Sequence, residues 1–205
     1  MAPETVFKII IIVIFSVFSI IRIESYRLAK KAGYRTIIEE SRKYSVFLSL
    51  LICYEVVTLF IYLLYPQLLM WSAISMPIWL RWAGVFLAIL ALMLFVWTHR
   101  SLGKNYSMKL RVKEEQNLVT FGPYRWIRHP MYTAFYILHI AAFLLISNWF
   151  IGVTWLLGLS IIIALRLKRE ESMMIEKFGE QYVSYMKYTG RLIPSHRMNR
   201  ITGSK

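Results

Sequence analysis

An all-α integral membrane protein with about five transmembrane helices is the architecture this sequence predicts, and three observations predict it. Hydrophobic residues fill 58% of the 205 positions and the mean hydropathy is positive, outside the usual range of soluble domains. The apolar residues gather in five runs, at about 5–22, 44–65, 78–98, 131–147 and 149–166, each at or near the ~20 residues that cross a bilayer core. Seven Trp, thirteen Tyr and twelve Phe suit aromatic belts at two membrane interfaces. One membrane domain, 1–205, is expected at this length. It divides into three transmembrane helices over 1–98, a polar loop over 99–130, a helical hairpin over 131–166, an amphipathic helix over 167–194 and a tail over 195–205.

The elements follow in order. Lys8 and the apolar run Ile9 to Ile21 imitate a secretory signal, but the run ends in Ile20-Ile21-Arg22 with no small-x-small cleavage site. A retained first membrane helix is therefore expected. The second run contains Cys53, read as a small buried apolar residue, and Glu55, its one acid within the apolar stretch. Pro77 stands where proline suits the first turn of the third helix. Gly103 suits its C-terminal cap, and His99 and Arg100 just before it read as interfacial. The last two runs are short and separated only by Ser147-Asn148, which predicts a tight hairpin and leaves open whether it spans the full bilayer. Beyond it, Ile175, Phe178, Tyr182 and Tyr185 recur at helical spacing among Glu176, Lys177 and Glu180. That pattern predicts an amphipathic helix over 168–188 outside the membrane core, ended by Gly190 to Pro194.

A net charge of +14 raises the question of nucleic acid, and the distribution of charge answers it. Twenty-three of the 25 basic residues lie in 22–43, 99–130 and 166–205, all on one side of a five-helix topology. The opposite loop, Pro66 to Pro77, has no charge. The positive-inside rule then puts the N-terminus outside and the C-terminus in the cytoplasm. The lipid bilayer is the partner this charge serves, with anionic headgroups, and no nucleic-acid partner is expected; oligomeric state is not readable. A single cysteine excludes an intrachain disulfide and a cysteine metal site. The four His, at 99, 129, 139 and 196, have no metal-ligand spacing, and the absence of Asp removes the usual magnesium and P-loop chemistry. No metal is expected.

Two polar clusters carry the chemistry. Gln116 to Tyr132 is the long polar passage between apolar segments. It ends in Arg128-His129-Pro130, where Pro130 can open the fourth helix. Arg128 and His129 then stand at a helix N-terminus, where free N–H groups favour a carboxylate or phosphate; the competing reading is an interfacial anchor and a cap. Tyr132 and Tyr136 lie one turn apart, followed by His139, a stripe that by itself reads as packing. The second cluster is Arg166, Glu170 and Glu171. Arg166 and Glu170, four apart, share a helix face. A guanidinium at the end of an apolar helix can hold a carboxylate with two hydrogen bonds; the competing reading is a snorkelling arginine beside a solvated helix start. A tight hairpin brings the two clusters together. Glu55, as an intramembrane acid, is a candidate for the pocket lining.

These residues resemble a known family. Leu118-Val119-Thr120-x-Gly122-x-Tyr124-x-x-x-Arg128-His129-Pro130-x-Tyr132 is similar to the signature of the isoprenylcysteine carboxyl methyltransferase family. Glu170-Glu171, Phe178-Gly179, Tyr182 and Tyr185 resemble its C-terminal motif, and Leu102-Gly103 with Tyr106-Ser107 resembles its upstream stretch. The likeness covers about 97–194, and the chain looks like a prokaryotic-type member. It implies a multi-pass methyltransferase that uses S-adenosyl-L-methionine in a cytoplasmic pocket built on the 99–130 loop. The cofactor contacts implied are Gln116, Asn117, Leu118, Val119, Tyr124, His129, Pro130, Met131, Tyr132, Glu170 and Glu171, with Lys109 as a weaker candidate. Arg166 falls at the family's substrate-binding arginine, with Glu55 as a possible second substrate contact. Gln116 departs from the family's usual His, so it can hydrogen-bond but cannot carry charge or shuttle a proton.

The expected chemistry is methyl transfer to a lipophilic acceptor, best the carboxylate of an isoprenylcysteine-like molecule. A carboxylate nucleophile needs positioning and dehydration rather than a base. Arg166, Arg128 and Glu170 are the residues expected to act on the reacting partners. The alternatives are methylation of a phospholipid amine or a thiol, an NADPH-dependent membrane reductase, and a non-enzymatic membrane scaffold.

Overall fold

The computed structural model describes residues 3–31, 36–39, 42–106, 111–113 and 117–195. Lys109 and Gln116 lie outside them, as do Ser107, His196 and the rest of the tail. Among the described residues six α-helices form: α1 Pro3–Lys31, α2 Arg42–Leu64, α3 Ile78–Leu102, α4 Pro130–Ile146, α5 Trp149–Phe178 and α6 Glu180–Tyr188. Each of the five apolar runs is the centre of one of the first five. Four are long and apolar enough to cross a membrane, and α4 is a shorter apolar helix of 17 residues. At 1.5 Å per residue α4 measures about 25 Å, short of a ~30 Å hydrocarbon core. Exposed Leu50, Phe60, Phe86, Met93 and Leu157 give these helices the apolar outer faces that lipid requires. The chain is a helical integral membrane protein.

The helices differ from the sequence expectation in two ways. The helix built on the fifth apolar run does not stop with it near 166: α5 continues as one helix of 30 residues to Phe178, and the chain breaks at Gly179. Arg166, Glu170 and Glu171 are therefore interior positions of a continuous helix, because the charged stretch Lys168-Arg169-Glu170-Glu171 keeps good helix formers on both sides of the polarity change. Secondly, two short strands appear, β1 Thr36–Glu39 and β2 Arg111–Lys113. They pair antiparallel with Glu39 opposite Arg111. Too short to show an alternating pattern, neither was predicted.

The chain divides into two compact units, each described by itself. The first comprises 1–21, 41–92 and 135–163. Its hairpin turn has Ser147 at positive φ, and the Asn148 side chain accepts from Ile151 N–H at 3.1 Å, which caps α5. Asn148 also donates to Leu69 O at 3.0 Å and meets Ser72, so the turn is tied to the short 3₁₀ segment Pro66–Ser72. Arg81, near the start of α3, donates to both carboxylate oxygens of Glu4 and to Leu145 O, and lies 4.0 Å over the Phe7 ring. Between α2, α4 and α5 there is a chain of polar contacts: Tyr54 OH to Thr154, Trp155 Nε1 to Thr58, Tyr136 OH to Ser160, and His139 Nε2 against Glu55 Oε1 at 3.2 Å. Cys53, expected inside, is exposed. Its position on α2 faces outward beside Ile52, Val56 and Val57, where a thiol is as acceptable to lipid as to a core.

The second unit comprises 22–40, 93–134 and 164–205. It contains the C-terminal part of α3, the polar passage, the first turn of α4, the charged part of α5 and all of α6. His99, expected at an interface, is buried here against Phe95 and Tyr106.

Candidate functional site

The second unit gathers the site residues. Gly122 opens the 3₁₀ turn Gly122–Arg125 at φ +62°. A Cβ there would lie 2.3 Å from Ser101 Oγ, so both the backbone conformation and the close approach to α3 demand glycine. The chain then runs beside the C-terminal segment. Gly190 N–H donates to Trp126 O, Arg128 N–H to Gly190 O, and His129 N–H to Arg191 O, at 3.1, 2.8 and 3.1 Å. A Cβ on Gly190 would lie 1.7 Å from Ile193 O, so no other residue permits this turn. Thr133 Oγ1 adds a bond to Leu192 O at 2.6 Å. Pro130 is the first residue of α4, as its missing N–H predicts.

Glu171 is the anionic centre of this frame. Only 4% exposed, it accepts from Arg128 Nε at 3.0 Å and from Arg191 Nη2 at 2.6 Å, with His129 Nε2 at 3.4 Å. Arg128 Nη1 also donates to Met186 O and Thr189 O at the end of α6. The guanidinium expected to hold a ligand's anion is thus bonded to protein groups on three sides, and its place is in the frame. A buried carboxylate with this many charge-assisted donors is stable only as an anion. Arg191 was not singled out from sequence; nothing local marks it, and only the return of the chain past Gly190 brings it to Glu171.

Glu170 is different. It is half-buried, and Tyr132 OH donates to its Oε2 at 2.8 Å. His129 Nδ1 lies 3.7 Å from the same oxygen. The His129 and Tyr132 rings stack at 5.6 Å with 20° between planes. One carboxylate oxygen is thereby fixed in place by side chains of α4 and its N-terminal turn. Tyr124 and Val119 line the same unit, Val119 buried, Leu118 half-buried and Asn117 exposed. Tyr185 OH donates to Tyr124 O at 2.6 Å. Burial pushes the Tyr185 phenol up to about 12, against the pull of Arg128, and raises Tyr124, Tyr182 and Tyr106 above their ordinary value as well. These phenols are neutral donors throughout the physiological range.

Of the residues expected from sequence, His129, Pro130, Met131, Tyr132, Tyr124, Glu170, Glu171, Arg128 and Arg166 all fall in this unit. Glu55 does not: it belongs to the first unit, where His139 holds it. Among the described residues no group of three His, Cys, Asp or Glu side chains has the arrangement of a metal site. What the arrangement offers is a half-open carboxylate beside stacked rings, on a helix that also carries a guanidinium one turn earlier. Such a set can take a polar, partly cationic molecule with hydroxyl or ammonium donors, next to an anion.

Residues 83–176 match the model of the isoprenylcysteine carboxyl methyltransferase (ICMT) family. The protein-S-isoprenylcysteine O-methyltransferase of Rattus norvegicus is 29% identical over 119 residues, 57% of this chain and 42% of that protein. That of Saccharomyces cerevisiae is 33% identical over 94 residues, 45% of this chain and 39% of that protein. The chain therefore spans about two fifths of the length of these relatives. Among solved structures, the eukaryotic intramembrane Ras methyltransferase ICMT covers 77% of this chain and 54% of its own, with TM-score 0.53 and 24% identity, a likeness of fold. The likeness to the isoprenylcysteine carboxyl methyltransferase family thus runs from residue 83 to 176, across most of α3, the polar passage, α4 and most of α5.

Proposed function

We propose that this chain is an S-adenosyl-L-methionine-dependent methyltransferase whose acceptor is the carboxylate of an isoprenylcysteine-like lipophilic molecule. The observation that carries the reading is Glu170, held through one oxygen by Tyr132 within a frame locked by Glu171. With Oε2 fixed, the carboxylate presents acceptor capacity to the ribose diol or ammonium of a nucleoside amino acid. The stacked His129 and Tyr132 rings offer a face to its apolar parts. The donor set therefore fits the cofactor that the family reading implies. When bound, S-adenosyl-L-methionine supplies an already activated methyl group on a sulfonium.

The residues of the chain then have to position rather than activate. Glu170, Tyr132, His129, Pro130 and Met131, with Asn117 to Val119 and Tyr124, bind and orient the donor. Glu171 holds their backbone in register through Arg128 and Arg191 and makes no contact with the reacting atoms. Arg166, one helical turn before Glu170, orients the acceptor carboxylate by paired N–H bonds. No general base is required, since the nucleophile is an anion at neutral pH. The apolar tail of the acceptor rests in the bilayer, and the distribution of basic residues sets this unit on the cytoplasmic side with the N-terminus outside.

A methylation assay on purified protein, with prenylcysteine analogues, phosphatidylethanolamine and small thiols as acceptors, tests the reading. Methylation of the prenylcysteine carboxylate is expected, with kcat/KM for Arg166→Ala down about a hundredfold or more, the loss typical of a bidentate charged contact. An Arg166→Ala enzyme with normal rate and acceptor affinity would remove the assigned substrate role. Transfer only to the amine or thiol would replace the acceptor. Binding of NADPH in place of radiolabelled S-adenosyl-L-methionine would replace the reaction class, and binding of neither would favour a scaffold.

A further inference from the structure

The outward face of α3 changes character along its length. Phe86, Leu90, Met93, Trp97 and Arg100 recur at intervals of three and four residues and are all exposed, so they form one stripe along the helix. Three apolar residues, an indole and a guanidinium succeed one another in that order. Met93 to Arg100 covers about 10 Å of helix, whereas the headgroup layer on each side of a ~30 Å hydrocarbon core is roughly 5–8 Å thick. The stripe therefore leaves the acyl region between Met93 and Arg100, with Trp97 at the level where indoles collect.

The polar passage completes the patch from the same unit. The rings of Trp97 and Trp126 meet edge to face at 5.6 Å, and both remain open, 44% and 38% exposed. Gly122 makes the approach possible: a Cβ there would lie 3.3 Å from Trp97 Nε1. Phe121 beside it is exposed, and so is Arg125, the last residue of the turn that delivers Trp126. Two guanidiniums thus flank the indole pair, one from α3 and one from the loop. Among the described residues neither has a hydrogen-bond or ion-pair partner. Other arginines of this chain are matched by acids: Arg27 meets Glu24, Arg81 meets Glu4, and Arg128 and Arg191 both meet Glu171.

We propose that Trp97, Arg100, Arg125 and Trp126 form a binding site for an anionic phospholipid. An acyl chain lies along Phe86, Leu90 and Met93, the ester level meets the indoles, and the phosphate accepts N–H bonds from the guanidiniums. The indole N–H of Trp97 is a donor suited to an ester carbonyl. Charge decides the class of headgroup. A zwitterionic lipid brings an ammonium, for which these four residues, two of them cations, have no carboxylate. An acidic headgroup brings only the charge that they attract. The site uses none of the residues placed around Glu170 and Glu171, and it stands whatever reaction they serve.

The test reconstitutes the full-length protein in phosphatidylcholine bilayers that contain either brominated phosphatidylglycerol or brominated phosphatidylcholine, and follows quenching of tryptophan fluorescence. The part of the signal lost in Trp97→Phe reports the site. Brominated phosphatidylglycerol is expected to quench that part at the lower mole fraction, by about fivefold for each guanidinium. Arg100→Gln and Arg125→Gln should each remove about that factor, and the double variant should bring the two lipids level. Exchange of both arginines for lysine should keep most of the selectivity, because the charge is retained. If the double glutamine variant does not fold, the two single variants carry the same test. Equal quenching by both lipids in the wild type, or selectivity that survives both glutamine exchanges, overturns the proposal. Quenching by neither lipid also overturns it, since protein would then cover the patch. Selectivity abolished by inorganic phosphate, at an ionic strength where chloride leaves it intact, overturns it as well and makes the arginines a site for a free anion.

Discussion

Each of the two units contains a histidine facing a glutamate, and the two pairs are built to opposite ends. In the first unit His139 Nε2 meets Glu55 Oε1 at 3.2 Å while Nδ1 meets Phe135 O at 2.8 Å. Both ring nitrogens are used, and neighbouring Trp155, Tyr54 and Tyr136 each find a hydroxyl partner. The network is closed, and in an apolar bundle its effect is to hold α2, α4 and α5 at one register. In the second unit two adjacent carboxylates divide the work. Glu171 is saturated by two guanidiniums and His129, whereas the Tyr132 and His129 contacts of Glu170 both fall on a single oxygen. The same residue types give a rivet in one place and, among the described residues, a carboxylate engaged through one oxygen in the other. What separates them is the number of donors that the tertiary structure delivers.

Breaking the saturated centre should have the largest effect. Glu171→Ala leaves Arg128 buried without its anion, a defect of about 3–5 kcal/mol for a buried ion pair. Thermal unfolding in detergent should show a large loss, together with loss of donor binding, while Glu171→Gln, which keeps some acceptance, should lie between. The open and closed carboxylates then separate in a paired experiment. Glu170→Gln should lower donor affinity about tenfold or more with unfolding temperature nearly unchanged. Glu55→Ala should do the opposite, costing about 1–2 kcal/mol of stability with donor and acceptor affinity retained. If Glu55→Ala instead raised the acceptor KM at unchanged stability, the division between rivet and site would fail, and the sequence expectation that Glu55 touches substrate would return.

The smallest effect is a matter of pH. The Tyr185 phenol, ordinarily near 10.0, is pushed up to about 12 in the folded chain. A raised phenol binds its proton more tightly when folded. Its contribution is therefore complete below pH 10 and is lost as pH climbs from about 10 to 12. Unfolding temperature should fall across that alkaline window, and Tyr185→Phe should flatten that part of the curve while lowering the plateau slightly. A Tyr185→Phe protein with an unchanged alkaline slope would show that the bond to Tyr124 O does not couple α6 to the loop.

Much of this was legible in the chain because membrane helices are written locally. Five apolar runs became five helices, Pro130 starts α4, Gly103 leaves α3 at positive φ, and Ser147-Asn148 makes the hairpin turn with an Asn cap. The polar motif from Leu118 to Tyr132 and the Glu170-Glu171 pair could be read as one site because the hairpin between them is short. Other features depended on partners far along the chain. The sheet joins residues 36–39 to 111–113, and Arg191 closes on Glu171 only after α6 has turned the chain back. Where the reading erred, the cause was a local signal taken for a boundary. The charge run after Leu165 was read as a helix end, but polarity changes a helix's surroundings without breaking its hydrogen bonds.

By itself the sequence determined the membrane class and where the apolar helices and their turns fall, because hydropathy and turn chemistry act within a few residues of where they are written. Only the tertiary structure decided which of the polar residues are tied to one another, as Glu171 is to Arg128 and Arg191. Arg128 and Glu55 are an ordinary cation and an ordinary acid in the sequence, and that Arg128 meets Glu171 and Glu55 meets His139 is visible only in the fold. A buried charge is neutralised by whatever donors and acceptors the fold brings within about 3 Å, and those come from distant segments.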